Sequence, residues 1–249
     1  MTAHLRRICG VRPTGRLHLG HYFSVIKPAK EFDCHVLIAR YHAPSIHEME
    51  VLRFGGNLSH TFSIGIISQV YTFKPEFYFR LLELARIGDL QRMTQFKSAI
   101  ERNAHLFTYP VLMAHDVADY DEVYVGDDQA QHVEFARDLL ARYNAVYEPV
   151  TIPVARIIGG RIMDLKNPVI KMSKSKPETC VFLDDEPDVI RGKFRKAATT
   201  RDGIANLGVL YREFVGGEFP KDNCKRGKEK LAKAIIKRFV NPTNQEKKG

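Results

Sequence analysis

Residues 7–21 read Arg7-Ile8-Cys9-Gly10-Val11-Arg12-Pro13-Thr14-Gly15-Arg16-Leu17-His18-Leu19-Gly20-His21. A short apolar run, Arg7–Val11, meets a Pro-Thr-Gly turn, and a helical pattern opens at His18. Strand, tight turn and helix in that order put a helix start at the carboxyl end of a strand, where open α/β sheets bind ligands. His18 and His21 are three apart and share one face of the first helical turn. Unpaired N–H groups and the helix dipole favour an anion there. Gly20 has no side chain, so a flat nucleotide can pack on the backbone at that point. Three readings stand: two imidazoles donating to phosphate oxygens, an ordinary capped helix, and a His-x-x-His metal pair. No carboxylate or cysteine completes a zinc ligand set. Nor is this a Walker loop, because His21 stands where the lysine belongs after Gly15 and Gly20.

Outward from this stretch, apolar runs alternate with helical patterns, which predicts a parallel sheet covered on both faces. Strands are predicted at Arg7–Val11, His35–Ala39, Ile64–Gln69, Glu122–Val125 and Thr151–Arg156. Helices are predicted at His18–Lys30, Ser45–His60, Pro75–Ile87, Tyr109–Asp119 and Gln129–Asn144. A further helical set covers Glu186–Ala197, Gly203–Phe214 and Lys228–Val240, and Asn241-Pro242 stops the last of these. A boundary is expected near Ser175–Asp184. It separates an α/β domain, 1–184, with a connecting insert around 71–108, from a short basic helical domain, 185–249.

The bulk numbers restrict the function class. With 249 residues the chain can bury a large core, and 27% charged residues with 44% hydrophobic ones exclude disorder. No run approaches the roughly 18 apolar residues of a membrane span, and Met1–Arg7 lacks an apolar signal core, so a cytoplasmic protein is expected. Cys9, Cys34, Cys180 and Cys224 show no paired spacing. The net charge of +9 is concentrated at the end. From Lys221 to Gly249, ten basic residues oppose three acidic ones. That cluster suits a polyanion such as RNA, or simply a solvated helix face.

A second basic segment is Pro168-Val169-Ile170-Lys171-Met172-Ser173-Lys174-Ser175-Lys176-Pro177. Lys171, Lys174 and the hydroxyls of Ser173 and Ser175 can gather around a leaving pyrophosphate; a solvated lysine loop is the plain alternative. Together, His18-Leu19-Gly20-His21 and Lys171-Met172-Ser173-Lys174-Ser175 resemble the paired signatures of class I aminoacyl-tRNA synthetases. A third stretch, Gly126-Asp127-Asp128-Gln129 followed by His132-Val133-Glu134-Phe135-Ala136-Arg137-Asp138, resembles the tryptophanyl members. So does Tyr109-Pro110-Val111-Leu112-Met113-Ala114-His115-Asp116.

The resemblance implies a Rossmann-type doubly wound sheet followed by a shortened helical domain, and a tryptophan–tRNA ligase that uses ATP with substrate-bound Mg²⁺. It implies that His18 and His21 hold phosphate and that Lys171 and Lys174 stabilise pyrophosphate. ATP contacts are implied for Thr14, Gly20, Gly126, Asp128, Met172 (against adenine), Ser173 and Ser175. Tyr109 would face the α-amino group, Met113 the ring, Asp116 the indole N–H, and Gln129 the polar end of the amino acid. No protein side chain is implied as a metal ligand. The implied partners are L-tryptophan, ATP, tRNA (tRNA-Trp) and a second copy of the chain, with no membrane. The aromatic run Tyr71–Phe79 is a candidate for that dimer contact, or for core.

Plain alternatives remain for each site: Asp127 and Asp128 as helix caps, Met113 as core, Asp116 as a surface residue. Four departures are visible: Arg12 where bacterial relatives carry Gln, Arg40 where Asp is common before Tyr41-His42-Ala43, a stretch between Lys97 and Tyr109 too short to place the second lysine of bacterial relatives, and a C-terminal helical region shorter than the family's. The rival functions are a tyrosyl enzyme, a nucleotidyltransferase of the same superfamily, and a non-charging RNA-binding relative.

Overall fold

The computed structural model describes residues 5–12, 15–42, 68–69, 73–158 and 161–240. The helix expected at Ser45–His60, most of the strand expected at Ile64–Gln69, and Thr14 lie outside the described residues. The chain forms two compact units. Of the described residues, 5–12, 15, 24–42, 68–69 and 73–158 belong to one, and 16–23 with 161–240 to the other.

In the first unit the strands are β1 (Arg7–Val11), β2 (His35–Ile38), β3 (Ser68–Gln69), β4 (Glu122–Val125) and β5 (Val154–Ile157). They form one sheet in the order β3-β2-β1-β4-β5, and every pair is parallel. Ile8 stands opposite both His35 and Val123. The order turns around at β1, so the crevice at its carboxyl end is the topological switch point of the sheet.

Alternation along β1 explains its burial. Ile8 joins the main hydrophobic cluster, while the Cys9 thiol points to the Val25 carbonyl at 3.7 Å. Successive strand residues face opposite sides, so both sheet faces are covered. At the start of β4 the buried Glu122 accepts from Arg156 (2.6 Å), Arg7 (2.9 Å) and the Tyr124 hydroxyl (3.1 Å). These bonds, that from Arg156 first, hold its carboxyl below the usual range and tie β1, β4 and β5 together.

The helical run after β1 begins as α1 (Leu19–His21), widens into a π turn over Tyr22–Ile26 and ends as α2 (Lys27–Glu31). Then follow α3 (Pro75–Leu84), α4 (Ile87–Gln91), α5 (Thr94–Ser98), α6 (Ala104–Val117) and α7 (Ala130–Asn144). Three of these, α3, α4 and α5, fall within the stretch read as insert. α6 starts five residues before the expected Tyr109, because Asn103 caps it by accepting from the Leu106 amide at 2.9 Å. Pro110 suits a first turn, yet it stands inside this helix. Val111, Ala114, Leu81, Val133, Leu139 and Leu140 form the centre of the cluster.

The second unit holds α8 (Pro187–Arg195), α9 (Arg201–Phe214) and α10 (Cys224–Phe239). Phe194, Ile190, Leu207, Leu210, Leu231 and Ile235 are fully buried between them. Gly227 in α10 is required by a close approach: a Cβ there would stand 2.6 Å from the Phe219 ring. α10 opens at Cys224 rather than Lys228, since Asn223 caps it by accepting from the Arg226 amide at 3.1 Å. Its first turn carries no large apolar residue, so periodicity alone begins the helix late.

Candidate active site

α1 must begin by satisfying amides that have no partner within the helix. His18 takes an extended backbone (φ −130°, ψ 175°), and its Nδ1 accepts from the Gly20 amide at 3.0 Å. In return His21 Nδ1 accepts from the His18 amide at 3.1 Å. Accepting through Nδ1 leaves each ring's proton on Nε2. The rings stand 4.1 Å apart. Burial, and then the ammonium charges of Lys174 and Lys171, lower the His18 pKa to about 4, so His18 is a neutral donor at pH 7.

A Cβ on Gly20 would stand 2.7 Å from His18 Cε1 and 2.9 Å from Nδ1. The place a side chain would take is filled by the His18 imidazole, so the glycine makes room for the cap.

The segment preceding α1 is held within the second unit by backbone and charge. Leu19 donates its amide to Val181 at 3.0 Å, and Leu183 donates to Leu17 at 2.9 Å. Arg16 pairs with Asp184 at 2.7 Å and with Asp185 at 2.9 Å, and its guanidinium lies 4.1 Å over the Phe182 ring. The buried Asp185 also accepts from Lys193 at 2.6 Å and from the Phe182 amide at 3.0 Å. Arg16, Asp184, Asp185 and Lys193 carry no motif, and the sequence reading missed them.

Lys171 and Met172 belong to a hairpin in which Met172 donates its amide to Ile162 at 2.9 Å and Asp164 donates to Ile170 at 2.9 Å. Asp164 anchors the loop by accepting from the amides of Lys166 (2.9 Å) and Asn167 (2.8 Å) and from the Thr179 hydroxyl. Met172, expected against adenine, is only 2% exposed. Lys171, Ser173 and Ser175 are exposed, and the two serine hydroxyls are 2.9 Å apart.

In the first unit, α6 presents Tyr109, Met113 and Asp116 at i, i+4 and i+7, one face of the helix. All three are buried, which sets aside the reading of Asp116 as a surface residue. The Tyr109 ring stands edge-on between His42 (centroids 4.3 Å) and His132 (5.4 Å). Burial raises its pKa, with Arg12 acting the other way. Burial also lowers His132 to about 4, with the charge of His42 adding to it. Nδ1 of His42 and Nδ1 of His132 are buried without a hydrogen-bond partner among the described residues.

Asp116 Oδ2 accepts from His42 Nε2 at 2.8 Å, and Oδ1 from His115 Nδ1 at 3.2 Å. His42 was visible in sequence only within the aromatic-His-Ala triplet, and His115 carried no signal. After β4, Gly126 leads into a 3-10 turn, Asp127–Gln129, and α7 follows. Asp127 and Asp128 lie inside that turn, and no side chain caps either helix start, so the capping alternative loses its support. A Cβ on Gly126 would stand 2.9 Å from Asp128 Oδ1, and Gln129 donates to Asp128 at 3.4 Å. No group of three or more His, Cys, Asp or Glu side chains able to hold a metal ion occurs among the described residues.

A family model described as tRNA synthetases class I (W and Y) matches residues 1–55 and 64–248. The tryptophan–tRNA ligase of Bacillus anthracis is 32% identical over 245 residues, covering 83% of this chain and 74% of that protein. Among solved structures, tryptophanyl-tRNA synthetase from Mycoplasma pneumoniae aligns with a TM-score of 0.78 at 27% identity, covering 95% of this chain and 86% of that one. The enzyme from Campylobacter jejuni, complexed with ADP and tryptophan, aligns at 0.68 and 24% identity over 95% and 86%, a likeness of fold.

The depressed His18 pKa makes stability depend on pH. Unfolded, this imidazole binds a proton near its ordinary value of 6.5; folded, it does so only at about 4. The unfolded state holds more protons between those values, so the contribution is full above about pH 6.5 and is lost as pH falls toward 4. Urea unfolding at pH 7 and pH 5 should show about 2 kcal/mol of stability lost through this group. The same measurement on His18→Gln should show a correspondingly shallower pH dependence.

Proposed function

We propose an activity on one premise: the chain belongs to the class I tRNA synthetases of the tryptophan and tyrosine group. It activates L-tryptophan with ATP and transfers it to tRNA-Trp. The α-carboxylate of tryptophan attacks the α-phosphorus of Mg-ATP, forming tryptophanyl-adenylate as pyrophosphate leaves. No protein nucleophile takes part, so catalysis is positioning together with charge stabilisation. The observation that carries this reading is the pair of imidazoles, each protonated at Nε2, with Lys171 and Lys174 close enough to shift His18.

In this reading His18 and His21 donate to phosphate while Lys171, Lys174, Ser173 and Ser175 hold the departing pyrophosphate. A neutral His18 donates without adding a third positive charge beside the two lysines. Gly126 and Asp128 contact the ribose; Tyr109 and Gln129 hold the polar end of the amino acid; Met113 and Asp116 receive the indole. Gly20 and Met172 keep their proposed ATP contacts, Met172 against adenine. Thr14 keeps its proposed ATP contact from the motif alone. The division into a catalytic domain, 1–184, and a basic helical domain, 185–249, is retained with this assignment, as is a cytoplasmic setting. No helix among the described residues is long and apolar enough to cross a membrane. A tyrosyl specificity is the second reading, and the buried acceptor Asp116 favours tryptophan.

Amino-acid-dependent ATP–pyrophosphate exchange, run with each of the twenty amino acids, tests the assignment. Exchange with tryptophan alone is expected, and exchange with tyrosine instead would move the specificity. Lys171→Ala and Lys174→Ala should each lower kcat by roughly 10²–10³, the usual cost of one transition-state donor, with little change in KM for tryptophan.

α10 supports the tRNA partner. Arg226, Lys230, Lys233 and Lys237 are exposed at i, i+4, i+7 and i+11, a single basic stripe on the helix. Changing all four to alanine should flatten the dependence of log Kd for tRNA on log salt by about 3. An unchanged slope in filter binding would remove the stripe from the tRNA contact. For the second copy, α3 offers Phe79, which is 65% exposed, whereas Phe77 packs edge-on to Tyr143 with centroids 4.9 Å apart. Phe79→Glu should shift sedimentation from dimer toward monomer, and a wild-type monomer would end the homodimer reading.

A further inference from the structure

The Asp116 carboxylate does not stand alone in its buried position. His115 is its neighbour on α6, and the protonation of His115 can be read from its two ring nitrogens. Nε2 accepts from the backbone amide of Lys74 at 3.1 Å. A backbone N–H only donates, so Nε2 carries a lone pair and the single ring proton sits on Nδ1. Nδ1 lies 3.2 Å from Asp116 Oδ1. The ring itself is walled by Phe73 and Phe77, with centroids at 5.1 Å and 5.4 Å. Aromatic packing and the Lys74 amide therefore fix both the plane of the imidazole and its tautomer. On the other carboxylate oxygen, His42 Nε2 lies at 2.8 Å, and the His42 ring packs edge-on against Tyr109.

We propose that His115 is a specificity-determining positioning residue. It donates to Asp116 Oδ1 opposite His42 and thereby holds the carboxylate plane at the angle at which it accepts the N–H of a bound indole. The proposal rests on the reading of Asp116 as the indole acceptor and extends it to a residue that no motif carries. A carboxylate has about four acceptor positions, of which these two histidine bonds take two. Without the His115 bond the carboxylate turns about its Cβ–Cγ axis, and a directional bond to an incoming N–H weakens. Shape selection by the apolar wall does not depend on that angle. His115 therefore acts on discrimination between ligands with and without an N–H, and not on the chemistry at the α-phosphorus.

The test compares L-tryptophan with 3-benzothienyl-L-alanine, in which sulfur replaces the indole N–H, in pyrophosphate exchange by the full chain. His115→Gln can place an amide acceptor near the Lys74 amide but offers no donor where Nδ1 stood; His115→Asn restores a donor near Nδ1. Expected is a KM for tryptophan raised roughly tenfold in His115→Gln, with kcat within about twofold, and kcat/KM for the sulfur analogue moving less than about twofold. His115→Asn should keep most of the wild-type preference.

An undiminished preference in His115→Gln, an equal loss on both substrates, or Asn behaving as Gln overturns the proposal. If Asp116→Asn abolishes the preference while His115→Gln keeps it, the indole reading stands and only the role of His115 falls. A wild-type enzyme with no preference removes both. Should the variants fail to fold, ¹⁵N spectra of unaltered protein decide: neutral His115 protonated at Nδ1 is expected, and protonation at Nε2 overturns the proposal.

Discussion

A helix start exposes amides that must find acceptors. This chain supplies them from the imidazoles of His18 and His21. That single exchange determines much of the local arrangement. It consumes both Nδ1 atoms as acceptors, so the proton of each ring is confined to Nε2, the nitrogen not used in the cap. It also excludes a side chain at position 20, because the His18 ring occupies the place a Cβ would take. Arg16, Asp185 and Lys193 then hold the strand segment from which the cap projects. The cap thus uses one nitrogen of each ring and leaves the other, Nε2, as a donor, so the proposed phosphate contact and the helix cap share the same two imidazoles.

Both units place a carboxylate out of solvent and surround it with donors. Asp185 is paired with Lys193 and Arg16, and Asp116 with His42 and His115. Removing one partner from such a pair leaves a buried charge short of a bond, which is costly, whereas the intact pair adds little net stability. What these groups contribute is orientation. The residues read as meeting pyrophosphate, Lys171, Ser173 and Ser175, are exposed on a loop, but that loop is anchored from beneath by Asp164 and the buried Met172. Exposed donors on a fixed base suit a step in which charge develops and then departs.

The strands were legible because parallel β1 and β4 are buried on both faces and read as short apolar runs; both boundaries agree with the expectation at Arg7–Val11 and Glu122–Val125. Errors concentrated where local chemistry opposes periodicity. α6 carries an internal proline that resembles a start, and α10 opens on Lys, Arg and Gly. The short helices α4 and α5 are too brief for a 3.6-residue pattern to declare itself. Among the proposed site residues, His18, His21, Lys171 and Lys174 were singled out through their motifs. A motif records which residues occur together, not which of them face inward, so the burial of Met172 came only from the fold.

By its sequence alone the chain determined strands β1 and β4, the start of the helical run at His18 and the two basic segments that could meet phosphate, because periodicity and spacing are properties of neighbours in the chain. Tertiary structure alone decided which nitrogen of His115 bears a proton, which atom fills the space above Gly20, and which charges surround His18 and Asp116. Those depend on groups tens of residues apart, such as Lys74 and His115 or His42 and Asp116, whose approach no local pattern encodes. Hydrogen bonding and desolvation act over a few ångströms of space, and only the folded chain determines which residues lie within that reach.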